Sequence, residues 1–141
     1  MIIVLDASVT ASWIFADERD AYSRYVAEKV AADGGVVPAL WRWEIQNVLL
    51  SALRSKRIGD ADLAQNLADL QALNIQVDLE PGFGLETSIA RKHGLTVYDA
   101  AYLELAMRRN CKLATKDAAL RRAAEATDLY LSLRDLRPRK R

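Results

Sequence analysis

The sequence predicts an α/β sandwich with a mainly parallel central sheet. Short apolar runs of strand length, such as residues 2–5, alternate with longer segments of helical periodicity. The first run is apolar throughout, which is typical of a strand buried on both faces of a parallel sheet. The 141 residues suit a single domain of ordinary size.

The first half of the chain begins with the strand at residues 2–5 and a short helix for which Ser8 is the expected N-cap. A second helix carries Tyr22, Tyr25, Val26 and Val30 on one face and ends at the Gly34-Gly35 pair. We then expect a strand at residues 36–37, a helix over 41–57 and another helix that begins at Asp60.

The second half repeats the alternation of strands and helices. The expected elements, in order, are a strand over 74–79, a turn at Pro81-Gly82, helices over 84–93 and 98–109, a strand over 112–114, a helix over 117–126 and a strand over 129–133.

Composition excludes several classes of protein. Cys111 is the only cysteine and His93 the only histidine, so the chain has neither an internal disulfide nor a Cys/His zinc cluster. No run of 18 apolar residues and no secretory signal occurs, and we therefore expect a cytoplasmic protein that does not enter a membrane.

Charge is unevenly distributed along the chain. Residues 134–141 contain five basic residues and one acidic residue, whereas residues 1–133 have a net charge of −3. We expect a domain over residues 1–133 and a basic tail over 134–141. This distribution is compatible with a metal site and a polyanion contact, although a solvated tail explains the positive charge equally well.

Two acidic residues follow predicted strands. Asp6 comes directly after the first strand, and Asp117 follows Leu113-Ala114 after two residues. Active sites of open α/β sheets lie outside the carboxyl ends of the strands. Both side chains are therefore expected to reach one crevice.

Two further acidic residues border apolar helix faces. Glu44 has Val48 four residues later, and Asp99 has Leu103 four residues later. A buried carboxylate must be paired or bind a cation, because an unpaired buried charge is very unfavourable. Four acids in such positions favour a shared metal ion.

Structural roles remain open for each acid taken singly. Asp99 would serve as an N-cap, Asp6 as a turn residue that accepts a backbone N–H, and Glu44 as the partner of Arg42 or of another basic residue nearby. Glu104 and Arg108 are expected to form a surface pair. The remaining acids of the polar stretches are interpreted as solvated or capping groups: Asp17, Glu18, Asp20, Asp60, Asp62, Asp78 and Glu80.

Four segments resemble the PIN domain family, in particular the VapC-type toxins of toxin–antitoxin pairs. They are Ile-Val-Leu-Asp-Ala-Ser at 3–8, Trp-Glu-Ile-Gln-Asn-Val-Leu at 43–49, Leu-Thr-Val-Tyr-Asp-Ala-Ala-Tyr-Leu-Glu-Leu-Ala at 95–106 and Leu-Ala-Thr-Lys-Asp at 113–117. The Tyr-Asp-Ala-Ala-Tyr piece is the most specific of these. The tail at 137–141 is outside the family pattern.

The resemblance implies a three-layer α/β/α fold and an Mg²⁺- or Mn²⁺-dependent endoribonuclease. It gives metal-site roles to Asp6, Glu44, Asp99 and Asp117, with Asp6 and Asp99 as the main ligands. Glu44 and Asp117 would complete the site directly, through water or at a second metal, and Ser8 and Thr115 would support it with their hydroxyls. An antitoxin protein and a homodimer are also implied.

RNA can reach an acidic pocket only if cations lie nearby. The candidates are Arg42, Lys116, Arg121 and Arg122, with Arg54, Lys56 and Arg57 as weaker ones. Aromatic residues are enriched at interfaces, so Trp13, Trp41 and Trp43 are candidates for a partner surface. Core packing is the alternative for each of them, and we favour it for Trp41.

Other functions fit the sequence less well. A phosphoacceptor signalling domain needs an acidic pair after the first strand and a mid-chain Asp at a strand end, and the chain has neither. A nucleotide-binding enzyme needs a Gly-rich phosphate loop, which is also missing. A PIN-like module that binds RNA or a partner without catalysis stays open as the alternative.

Overall fold

The computed structural model describes residues 1–79 and 83–136. The turn expected at Pro81-Gly82 and the basic tail from residue 137 onward lie outside the described residues. A short 3-10 turn at Leu133–Leu136 ends the described part of the chain.

Within residues 1–79 and 83–136, four parallel strands form the central sheet, in the order β3-β2-β1-β4. They are β1 (Ile3–Leu5), β2 (Gly35–Pro38), β3 (Ile75–Asp78) and β4 (Leu113–Ala114). In the register, Val4 of β1 lies opposite Val36 of β2 and Leu113 of β4. All three residues are fully buried, which explains the absence of polar residues from these runs.

Seven α-helices of the described residues surround the sheet, and their order follows the predicted alternation. They are α1 (Ala7–Ile14), α2 (Ala21–Asp33), α3 (Leu40–Arg54), α4 (Asp60–Gln71), α5 (Leu85–His93), α6 (Val97–Arg109) and α7 (Ala118–Ala126).

The helices pack as two groups. In the first group, helix α6 packs against β1, β2 and β4, and α5 and α7 pack against α6. In the second group, α2 packs against β1, and α1 contacts both α2 and α3. The side chains of Tyr102, Leu103 and Leu105 place α6 in the core. The predicted three-layer α/β/α sandwich with a parallel sheet is confirmed.

Two predicted boundaries are wrong. The strand expected over 129–133 is reduced to one bridge, in which the Leu113 N–H donates to the Leu129 carbonyl and the Leu131 N–H donates to the Leu113 carbonyl. The helix expected over 41–57 ends at Arg54, because Lys56 adopts a left-handed conformation with φ of 60°.

The Glu104–Arg108 pair is buried at its acidic end, which corrects the expected surface pair. The Glu104 side chain is 6% exposed, and its Oε1 accepts a hydrogen bond of 2.8 Å from Arg108 Nε. Arg108 also pairs with Asp78, whose side chain is 8% exposed and was expected to be solvated or capping. This network ties the end of β3 to α6.

The described helices include none that is long and apolar enough to span a bilayer.

Candidate active site

The ends of β1 and β4 bring two of the four acids to one edge of the sheet. The Asp6 N–H donates to the Ala114 carbonyl at 3.1 Å, so Asp6 lies directly beside the end of β4. Asp117 is the N-cap of α7, where its Oδ2 accepts a hydrogen bond of 2.8 Å from the Leu120 N–H. The predicted placement of Asp6 and Asp117 in one crevice rests on this pairing of neighbouring strands.

Asp6 is held by two hydroxyl groups. Its Oδ2 accepts hydrogen bonds of 2.7 Å from both Ser8 Oγ and Thr115 Oγ1. The expectation that Ser8 is the N-cap of the first helix is wrong, because the helix begins at Ala7 and Asp6 occupies the cap position. The Ser8 hydroxyl is therefore free to orient the carboxylate, as the predicted supporting role requires.

Burial raises the pKa of the Asp6 carboxyl, because the side chain is almost fully shielded from water. The hydrogen bonds from Ser8, Thr115 and the backbone of Ala7 act in the opposite direction, and the negative charge of Asp117 adds to the increase. These hydrogen bonds do not offset the effect of burial on the pKa.

Glu44 extends from α3 to the same place and is held from α6. The Tyr102 hydroxyl donates to Glu44 Oε1 at 3.0 Å, and Tyr102 itself is fully buried. Burial raises the pKa of Glu44, and the charges of Asp6 and Asp99 raise it further. Among the ion pairs of the described residues, none joins Glu44 to Arg42, so that alternative is wrong.

Asp99 lies in the first turn of α6 without capping it. Thr96 is the N-cap, and its Oγ1 accepts a hydrogen bond of 3.1 Å from the Asp99 N–H. The structural alternative for Asp99 is therefore wrong. Burial is the main factor that raises the pKa of the Asp99 carboxyl, followed by the charges of Asp117 and Asp6.

Sequence reasoning missed Tyr102, which joins the two helical acids. Tyr102 follows Asp99 by three residues and therefore shares the apolar face of the helix with it, yet its hydroxyl crosses to Glu44 on α3. A tyrosine in a fully apolar stripe needs a partner for its hydroxyl, and that requirement was the available signal. The identity of the partner depends on how α3 and α6 pack.

The donor set is compatible with Mg²⁺ or Mn²⁺. Within residues 1–79 and 83–136, no three acidic, His or Cys side chains stand together as a ready-made ligand set. Mg²⁺ commonly keeps several waters and binds proteins through one or two carboxylates. Hard carboxylate oxygens with raised pKa values therefore fit such an ion, with the remaining acids in contact through water.

The predicted RNA-binding cations fall into two places. Lys116 and Arg121 line a pocket with Thr115, whose hydroxyl donates to Asp6. Both cations are paired with acids outside the site, Lys116 with Asp20 at 3.0 Å and Arg121 with Glu125 at 2.7 Å. Arg42 lines a separate groove between α3 and α4 that none of the four acids lines, and Arg122 is exposed on α7. The structure therefore associates only Lys116 and Arg121 with the candidate site.

The three tryptophans differ in environment. Trp41 is buried and its Nε1 donates to Thr10 Oγ1, which confirms core packing for this residue. Trp13 is half-buried and donates to the Ser23 carbonyl. Trp43 is 64% exposed and directly precedes Glu44, which leaves it available to a ligand or partner.

Comparison with known proteins identifies the family. The pattern of the PIN domain matches residues 3–126, which is most of the chain. The chain belongs to the PIN domain family. The crystal structure of PAE2754 from Pyrobaculum aerophilum is similar, with a TM-score of 0.71, 22% sequence identity, and coverage of 96% of this chain and 95% of that chain.

Each comparison supports a different level of detail. At this identity the likeness to PAE2754 shows the fold of this PIN domain. A search of curated proteins found no match. Membership in the PIN domain family supports a metal-dependent nuclease.

Proposed function

We propose that this PIN domain is an Mg²⁺- or Mn²⁺-dependent endoribonuclease. The observation that carries the proposal is the set of carboxyl groups around Asp6. Burial raises the pKa values of Asp6, Glu44 and Asp99, and each of the three also experiences the negative charge of another site acid. Such an arrangement is unfavourable for folding alone and favourable once a cation is bound.

Asp6 and Asp99 are the proposed main metal ligands, and Glu44 and Asp117 complete the site. A bound divalent ion would supply charge for the scissile phosphate and make a water more acidic. Ser8 and Thr115 fix the orientation of the Asp6 carboxylate through its Oδ2.

Glu44 is the proposed acceptor of the proton from the attacking water. Tyr102 donates a hydrogen bond to one of its oxygens. The pKa of Glu44 is raised toward neutral pH, and a general base works best when its pKa is close to the working pH. In the hydrolysis, the water oxygen bonds to phosphorus, the bond from phosphorus to one ribose oxygen breaks, and that oxygen ends protonated.

The pocket beside Thr115 is the proposed path of the RNA backbone. It has a volume of about 350 Å³ and contains the basic side chains of Lys116, Arg121 and Arg134. The Arg121 guanidinium lies 4.7 Å above the ring of Tyr130. Phosphate contacts of this kind would compensate for the negative charge of the acidic centre.

We also propose that the nuclease is the toxin of a VapBC-type pair in the cytoplasm, restrained by an antitoxin and forming a homodimer. The sequence resemblance supports this role, and so does an apolar groove of about 440 Å³ next to the site. Its lining includes the exposed side chains of Leu79, Phe83, Val97 and Tyr98. Tyr98 directly precedes Asp99, so a protein bound there would reach the edge of the site.

Cleavage of single-stranded RNA by the purified chain tests the proposal. We expect cleavage with Mg²⁺, none with EDTA, and a loss of about 100-fold or more in Asp6→Asn and Asp99→Asn, with the fold retained. Asp62→Asn is the matched control and should cleave normally, because Asp62 is an exposed residue in the first turn of α4 that accepts a hydrogen bond from the Gly59 N–H. Full activity in Asp6→Asn would refute the site, and RNA binding without cleavage by the wild type would indicate the non-catalytic alternative.

A further inference from the structure

A second depression adjoins the acidic centre. It runs between α1 and α3 and has a volume of about 650 Å³. Glu44 lines one end and Arg57 the other. The groove therefore begins at the candidate active site itself.

The groove has an apolar floor and a neutral polar wall. Ala11, Phe15, Val48 and Ala52 provide the apolar surface, and the last two lie one turn apart on α3. On the same side of α3, Asn47, Ser51 and Ser55 follow Glu44 at helical spacing and line the groove. From Glu44 to Ser51 the helix rises by about 10 Å.

The polar groups of the wall are available to a ligand. Neither Asn47 nor Ser51 forms a side-chain hydrogen bond to another described residue, and both residues are exposed. The Ser55 hydroxyl donates to the Ala52 carbonyl and retains its acceptor capacity. Asn47 offers one acceptor and two donors in a plane.

Two acidic side chains, Glu18 and Glu44, and one basic side chain, Arg57, line the groove, which argues against a phosphate as its occupant. Arg57 pairs with Asp17 at 2.6 Å and with Glu18 at 3.0 Å, and its guanidinium lies 3.8 Å above the ring of Phe15. Glu44 at the other end would repel an anion. The basic pocket beside Thr115 is instead lined by three basic side chains, Lys116, Arg121 and Arg134, and one acidic side chain, Asp20.

We infer that the groove between α1 and α3 binds an unpaired base of the RNA next to the cleaved phosphate and that Asn47 and Ser51 determine which base is preferred. The inference rests on the proposed ribonuclease function and assigns sequence preference to that same site. The flat apolar faces of a base fit the floor of the groove. The hydrogen-bond donors and acceptors along the edge of the base fit the polar wall. Amide side chains read such edges with two hydrogen bonds at once.

Sequencing of the fragments from a single-stranded RNA library with a randomised centre tests the inference. The wild type should favour one base at a position beside the cut. In Asn47→Ala that preference should fall by about fivefold or more, since one well-placed pair discriminates between bases by about 5- to 150-fold. Ser51→Ala should reduce it less. Gln46→Ala, the neighbouring amide outside the groove, should keep the wild-type profile.

A binding measurement separates failure of this inference from failure of the ribonuclease proposal. In the Asp6→Asn background, we compare the affinities for short homopolymers of A, C, G and U with and without Asn47→Ala. Loss of a base preference in the Asn47 variant supports the groove even if the wild type proves unable to cleave. Equal affinities for all four polymers, an unchanged cleavage profile in Asn47→Ala, or the same change in Gln46→Ala would overturn the inference.

Discussion

Asp6→Asn should stabilise the protein when no divalent metal is present. Asp6 is 5% exposed, and its charge is supported by two hydroxyl hydrogen bonds on one oxygen. When an amide replaces the carboxylate, the acceptor of these two hydrogen bonds becomes neutral, and each bond then stabilises the folded state by about 1 kcal/mol less. It also removes the penalty for burying a charge, which is about 3–4 kcal/mol.

The difference is a net stabilisation of about 1–2 kcal/mol, or roughly 3–8 °C in Tm for a domain of this size. Thermal unfolding followed by circular dichroism at neutral pH in EDTA measures it. Asp33→Asn is the matched control, because the N-terminal ammonium and Lys29 lower the pKa of Asp33, and its replacement should slightly decrease the Tm. A lower Tm for Asp6→Asn would refute our view that the folded site is strained by its charges.

Three further predictions concern the pH dependence, Tyr102 and Arg108. Because folding raises the pKa values of Asp6, Glu44 and Asp99, the protonation of these carboxyls should stabilise the metal-free protein near pH 4, and this stabilisation should be lost as the pH rises toward neutral. Denaturant titrations should show a smaller loss with Mg²⁺ or in Asp6→Asn. Tyr102→Phe removes the hydrogen-bond donor to Glu44 and should reduce the cleavage rate about 3- to 10-fold. Because this hydrogen bond lowers the pKa of Glu44, its loss should shift the acidic limb of the pH–rate profile to higher pH. An unchanged profile would contradict the proposal that Tyr102 orients Glu44. Arg108→Ala leaves the buried Glu104 unpaired and should lower the free energy of unfolding, measured by urea denaturation, by about 2–3 kcal/mol. Lys29→Ala breaks an exposed pair of the same spacing and should have a much smaller effect. Equal losses in the two variants would contradict the importance of burial.

The strand pattern and the helix periodicity predict the layers of this fold because they depend on local sequence. The positions of Asp6 and Asp117 were accessible in the same way, since acids that follow parallel strands share an edge. Glu44 and Asp99 were found as charges on apolar stripes. These signals require only the spacing along one element.

The features that the sequence did not reveal depend on contacts between distant elements. Asp78 was assigned to the solvated or capping groups because its partner Arg108 lies thirty residues further along the chain. The hydroxyl of Tyr102 and the carboxylate of Glu44 meet only after α3 and α6 pack. Arg42 was expected near the acids, and its side of α3 instead borders α4. Periodicity gives the face of a helix but not the neighbour that covers it.

Calorimetric titration of the metal-free protein with Mn²⁺ tests most directly whether the four acids share one cation. We expect saturable binding by the wild type, binding at least about tenfold weaker in Asp6→Asn and Asp99→Asn, and unchanged binding in Asp62→Asn. Wild-type affinity for Mn²⁺ in both site variants would contradict the account, because the raised pKa values of the site would then have no cation to explain them.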